Sequence, residues 1–269
     1  MKRIALPFLL VTLAVSSAKA GAAEPFTAER SWQIQRIGNP VVSPDGRYVV
    51  APVTQPVLAD DKMLTDLWLW TRDGRVERPL TSDPASESSP RFSPDGQTLA
   101  FVAQRDDDKT PQLYLLPMAG GEARRLGSFA TGVSAPRWVG NNRIVFASRV
   151  WADLPLDKQG DRLKEREESK VKARAWDGGP VSVWDTFQDD REGHVFAVDV
   201  ASGEVTALTL GRGLQLPRFS QGYDGTFDIS PDGAELALAA DSNPAINIED
   251  IDVYLLPVAG GEARNLSAG

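Results

Sequence analysis

An all-β fold, a partial β-propeller of about four blades with four antiparallel strands each, is predicted by three observations. The tetrapeptide Ser-Pro-Asp-Gly recurs at 43–46, 93–96 and 230–233, each time before a short run rich in aliphatic and aromatic side chains. The stretch Tyr114 to Arg124 returns as Tyr254 to Arg264 with only Met118 and Val258 differing. The copies are spaced by about 50 residues and punctuated by Gly and Pro, so the 3.6-residue periodicity of a helical solenoid finds no room. A period of that length built from four short strands is the signature of radially stacked blades, each burying its neighbour's face.

Residues 90–126 are the best-preserved unit. In Ser93-Pro94-Asp95-Gly96, Ser at the first turn position, Pro at the second and Gly at the fourth suit a type I turn, because Pro presets φ and Gly tolerates the backbone bend that leads into the next strand. The turn predicts a hairpin between Pro90-Arg91-Phe92 and Thr98 to Ala103, the latter apolar enough to be covered on both faces. Leu113 to Leu116 and the Gly120-Gly121-Glu122 turn complete the unit. Looser copies run from Leu67 through Gly74, from Pro136 through Phe146 with Asn141-Asn142 at the turn, and from Val195 through Glu204. Blades are therefore expected at about 39–83, 84–128, 129–211 and 212–269.

Residues 1–20 read as a secretory signal peptide: Lys2-Arg3, an apolar core from Ile4 to Val15, and Ala18-Lys19-Ala20 as the small-x-small cleavage site. The apolar run is short of the roughly 20 residues that span a bilayer. The expected location is secreted or periplasmic, with no membrane contact after cleavage near Ala20. No cysteine is present, so disulfides and thiolate metal sites are excluded. Cleavage lowers Lys plus Arg from 29 to 26 against 37 Asp plus Glu, a net charge of about −11, which argues against nucleic acid and anionic membrane as partners.

Residues 21–38 form a segment of their own, with a short helix expected over 26–38: Thr27 as N-cap, Glu29 in the first turn, Gly38 at the stop. Asp106-Asp107-Asp108 lacks EF-hand spacing and reads as a solvated turn instead of a calcium site. The third blade is interrupted over 150–192, where Asp161 to Ala173 is dense in Lys, Arg and Glu and predicts a solvated helix. Trp176-Asp177 and Trp184-Asp185 come after it, giving the insert the composition of a docking element.

Catalytic machinery is missing. No Gly-x-Ser-x-Gly occurs, and the single histidine, His194, begins a repeat strand where the other copies carry Asp66, Gln112 and Asp252. Zinc would need more His or Cys than the chain has, so neither metal nor cofactor is expected. Four blades of a larger ring would leave apolar faces bare at both ends. Either the chain closes as a four-bladed ring or it is a segment of a longer wheel, and the segment is the expectation.

The order of these features resembles one family. A signal peptide, a short helix, Ile-Gly-x-Pro-x-x-Ser-Pro-Asp-Gly at 37–46, a Gly-Gly-Glu-Ala hairpin, and a charged insert ending in Trp-Asp before a His-x-Phe-x-Val strand are similar to the N-terminal propeller of prolyl oligopeptidase family peptidases. Within it the bacterial dipeptidyl and acylaminoacyl peptidase branch is most similar. The resemblance implies a seven- or eight-bladed propeller capping an α/β-hydrolase domain that supplies Ser, Asp and His. It implies a peptide substrate, and a propeller that gates access and docks the hydrolase domain, itself missing here. Dipeptidyl members hold the substrate amine on acidic residues of a propeller insert, a role the resemblance carries to Glu167 and Glu168. Trp184 and Asp185 match the insert's Trp-Asp pair, with Ser182-Val183 where the family often has basic and His residues. The alternative is a TolB-like periplasmic propeller that binds proteins and performs no chemistry.

Overall fold

The computed structural model describes residues 25–171, 173, 182–183, 186–187, 190–218, 222–242 and 250–267. Two units are distinguished, Met1–Ile34 and Gln35–Gly269. In the first, Thr27 caps a single helical turn, Ala28–Ser31, its Oγ1 accepting the Arg30 N–H at 3.3 Å. The expected helix over 26–38 is thus cut short. The turn buries none of its own residues, and isolated helices of this length are marginal. In the second unit Arg36–Ile37 is already a strand, pairing Arg36 with Thr54 and Ile37 with Val53. The signal-peptide residues lie outside the described region.

The second unit contains four antiparallel meanders. The first joins Val41–Val42, Tyr48–Val57, Lys62–Thr71 and Glu77–Pro79, with Arg36–Ile37 added on the far end of Tyr48–Val57. The second joins Glu87–Phe92, Thr98–Ala103, Gln112–Pro117 and Arg124–Arg125. The third joins Ser134–Val139, Arg143–Val150, Glu192–Asp199 and Val205–Ala207, and the fourth Phe227–Ile229, Glu235–Asp241, Ile251–Pro257 and Arg264–Asn265.

The hairpin turns form as their chemistry predicts. Gly46, Gly96 and Gly233 each return their N–H to the Ser carbonyl three residues back at 2.8 Å, with φ near +70°. The Ser hydroxyl donates to the Asp carboxylate, which also accepts an N–H two residues on, as for Asp45 from Arg47 at 3.0 Å. These bonds, that from Ser43 foremost, hold Asp45 down to about 2, and the same pattern lowers Asp95 and Asp232.

Three seams of buried apolar side chains separate the four sheets. Val50, Leu67 and Leu69 meet Leu99, Phe101 and Leu116. The opposite face of the second sheet, through Ala100, Leu113 and Leu115, meets Ile144, Phe146 and Phe196. Val145, Val195 and Ala197 then meet Leu236, Leu238 and Leu256. Strand alternation delivers this, since neighbouring side chains point to opposite faces and the inner blades are apolar on both.

Among the described residues, the fourth blade packs into a buried seam on one face only. Ala237, Ala239 and Leu255, on its other face, are half-buried, and Ile251 and Val253 are 40% and 44% exposed. First strands converge on a common centre: Arg91 of the second blade and Arg137 of the third both bind the Asp224 carboxylate ahead of the fourth, at 3.0 and 3.1 Å. This is a radial arc of four blades.

Candidate functional site

The insert leaves the third blade at Val150 and returns at Glu192. Trp151 and Gln159 anchor its start. The buried Gln159 amide accepts the Trp151 N–H and donates to the carbonyls of Trp151 and Leu154, all within 3.0 Å. Arg162, Arg166 and Arg191 place their guanidinium carbons 5.1 to 5.8 Å from the centre of the Trp151 indole. The helix fixed in this way, Gln159–Glu168, begins two residues earlier than the charge pattern predicts and ends at Ser169. A short hairpin pairs Ser182–Val183 with Thr186–Phe187. Trp184 and Asp185, the docking candidates, lie outside the described residues.

Glu167 and Glu168, the amine-binding candidates, sit in the last helical turn and line a cleft of about 710 Å³. Asp107, Asp108, Lys109 and Arg125 of the second blade line it too, as does Lys164 of the helix. Glu168 lies 3.9 Å from Lys164 one turn back, an exposed pair of little strength. The cleft therefore brings together carboxylates from two elements that are 60 residues apart in sequence, from Asp107 to Glu167. Lys109, Lys164 and Arg125 share the wall, Arg125 being paired with Asp108, so four carboxylates stand there beside three cations.

The acidic turn is not simply solvated. The Asp108 carboxylate, 2% exposed, pairs with Arg125 and accepts the Tyr114 hydroxyl at 2.8 Å. Burial first, then this hydrogen bond, pushes the Tyr114 phenol up to about 12. Asp106 takes a left-handed φ of +51°, bending the loop so that Asp108 turns inward and Asp107 stays outside. Sequence reasoning missed this because Arg125 is a strand away. The available signal was Tyr114 directly opposite Arg125 in the repeat hairpin.

His194 is 3% exposed. Its Nδ1 lies 3.1 Å from Thr209 Oγ1 and its Nε2 3.2 Å from Glu192. The same Thr209 oxygen accepts the Val195 N–H at 3.0 Å, so its own proton is free for Nδ1, which fits an imidazole that donates from Nε2 to Glu192. That hydrogen bond is the main cause of a lowered Glu192 carboxyl. Equivalent latches close other blades, from the Leu67 N–H to Thr81 at 2.9 Å and from the Val253 N–H to Ser267 at 2.8 Å. His194 thus belongs to a repeated strand-end device. Among the described residues no group of three or more His, Cys, Asp or Glu side chains is arranged to hold a metal.

No protein-family model matches the chain. It is 26% identical over 239 residues to the uncharacterized peptidase YuxL of Bacillus subtilis, covering 86% of this chain and 33% of that protein. It is 24% identical over 250 residues to dipeptidyl-peptidase 5 of Porphyromonas endodontalis, covering 90% and 35%. Acylaminoacyl peptidase of Pyrococcus horikoshii shares the fold over 89% of this chain and 34% of its own, with a TM-score of 0.62 at 16% identity. The chain is a propeller related to those of prolyl oligopeptidase family peptidases. It spans about a third of the length of the curated relatives it matches.

Proposed function

We propose that this chain is the N-terminal propeller segment of an exported serine exopeptidase acting on oligopeptides. Its blades gate substrate access, and the segment docks an α/β-hydrolase domain that supplies the nucleophile, acid and base. Glu167 and Glu168 hold the substrate's free amine, and Trp184 and Asp185 take part in docking. The observation that carries this reading is the cleft where carboxylates of the insert helix and of the second blade meet, on an arc whose sequence relatives are peptidases. A carboxylate pair there gains ion-pair attraction as well as hydrogen bonds from an ammonium, and hydrogen bonds alone from an amide.

The coding sequence past codon 269 provides the test. Further blades, then Gly-x-Ser-x-Gly, Asp and His in that order, are the expected result; a stop codon at that point with a closed, monomeric ring in solution favours the TolB-like alternative. Export is checked by N-terminal sequencing of the extracytoplasmic protein, expected to start near Gly21.

A further inference from the structure

Beside the acidic cleft lies a second space of about 100 Å³ that amine binding leaves unused. Ser128, Phe129 and Ala130 are walls of both spaces, and the first turn of the insert helix borders each, through Gln159 on one side and Gly160 on the other. Its rear is aromatic: the Phe129 and Phe146 rings are 4.7 Å apart, and Phe146 and Phe196 stack at 5.8 Å. Val150, Val205 and Leu156 add aliphatic surface.

Three of the four polar side chains on these walls have their protons engaged, while the Ser128 hydroxyl, at the border with the cleft, accepts from Arg125 at 2.8 Å. Gln159 spends its amide on Trp151 and Leu154. Ser148 donates to the Gly132 carbonyl at 2.6 Å, so in its 2.9 Å contact with Thr131 the threonine is the donor. A ligand entering this chamber meets no free donor from Gln159, Ser148 or Thr131, and past Ser128 the walls favour apolar matter. The volume is below the roughly 150 Å³ that accommodates benzene, which favours an aliphatic side chain over an aromatic ring.

We propose that this chamber is a specificity pocket for a branched aliphatic side chain, Val, Leu or Ile, of a peptide whose amine lies in the adjoining acidic cleft. The proposal rests on the reading of that cleft as a peptide site and adds the residue class it selects. Charge and apolarity are divided between the two spaces as they are in an N-terminal aliphatic residue.

Calorimetric titration of the full chain with Leu-Gly-Gly, Phe-Gly-Gly, Gly-Gly-Gly and N-acetyl-Leu-Gly-Gly tests it. Leu-Gly-Gly is expected to bind at least about tenfold more tightly than Gly-Gly-Gly. Val205→Phe, which fills the chamber from a half-exposed strand position, reduces that ratio to below about threefold. Leu156→Ala, at a 39% exposed site, enlarges the chamber and moves the preference towards Phe-Gly-Gly. If Val205→Phe fails to fold, the Leu156→Ala shift decides alone. Equal binding of the Leu and Gly peptides overturns the pocket, and acetylation that still abolishes binding then leaves the amine reading standing. A Leu preference that survives acetylation supports the pocket and removes the amine anchor. No binding of any peptide at millimolar concentration overturns both.

Discussion

Leu115 and Leu255 occupy the same position of an almost identical repeat and have different surroundings, which makes them an internal control for the open arc. Leu115 is 2% exposed, in the seam with the third blade, whereas Leu255 lies on the uncovered face of the fourth, between Val253 and Pro257. Leu115→Ala removes a fully buried side chain and leaves a cavity, a loss of about 2–5 kcal/mol. Leu255→Ala gives up only the buried part of its surface and leaves no closed cavity, so the cost is about 1 kcal/mol. Equilibrium urea unfolding of the two variants, with m unchanged between them, reads the difference directly. Equal losses would refute the reasoning, because they would mean that the outer face of the fourth blade is covered in solution. In a longer protein whose next blade packs there, the two costs are expected to converge.

Other expectations come from the polar contacts. Arg105→Leu leaves Glu87 buried without its guanidinium partner and is expected to cost about 3–5 kcal/mol in thermal or urea unfolding. Burial is the main cause that raises the Glu87 carboxyl, and Arg105 opposes it. Without Arg105 the folded value rises further above the unfolded one, so the variant loses stability as pH increases through that folded value. The lowered Asp45, Asp95 and Asp232 have the opposite sign: their stabilisation is complete above the ordinary Asp range and is lost as pH falls through their lowered folded values, about 2 for Asp45. Replacing all three with Asn should flatten the acid limb of the stability profile. Thr209→Val strands the Val195 N–H and the His194 ring nitrogen in the core and should cost about 1–3 kcal/mol, with the fourth strand of its blade losing amide-exchange protection first.

Short-range chemistry made the blades readable. The Ser-Pro-Asp-Gly turn carries its own hydrogen bonds within six residues, from Ser43 to Tyr48, so its outcome is the same in each copy. The helix expected over 26–38 failed where a partner far along the chain intervened: Arg36 and Ile37 are captured by Thr54 and Val53. At the site, the charged run foretold a helix and put Glu167 and Glu168 on it. The opposing wall was illegible, since Asp107 reaches the cleft only through the folding of the second blade against the insert. Asp108 escaped notice for the same reason, its partner Arg125 being 17 residues away.

Repeat arrays ordinarily pass mechanical and thermal stress from one module to the next and no further. The carboxylate of Asp224 breaks that rule, because it is gripped by guanidinium groups from two different wedges, one of them not its sequence neighbour. Like the hub of a wheel, it makes loosening at one spoke felt two spokes away. Fraying of the loop at 222–226 should therefore weaken the second and third modules together, giving this arc a shared melting behaviour that contact between successive sheets alone would not impose.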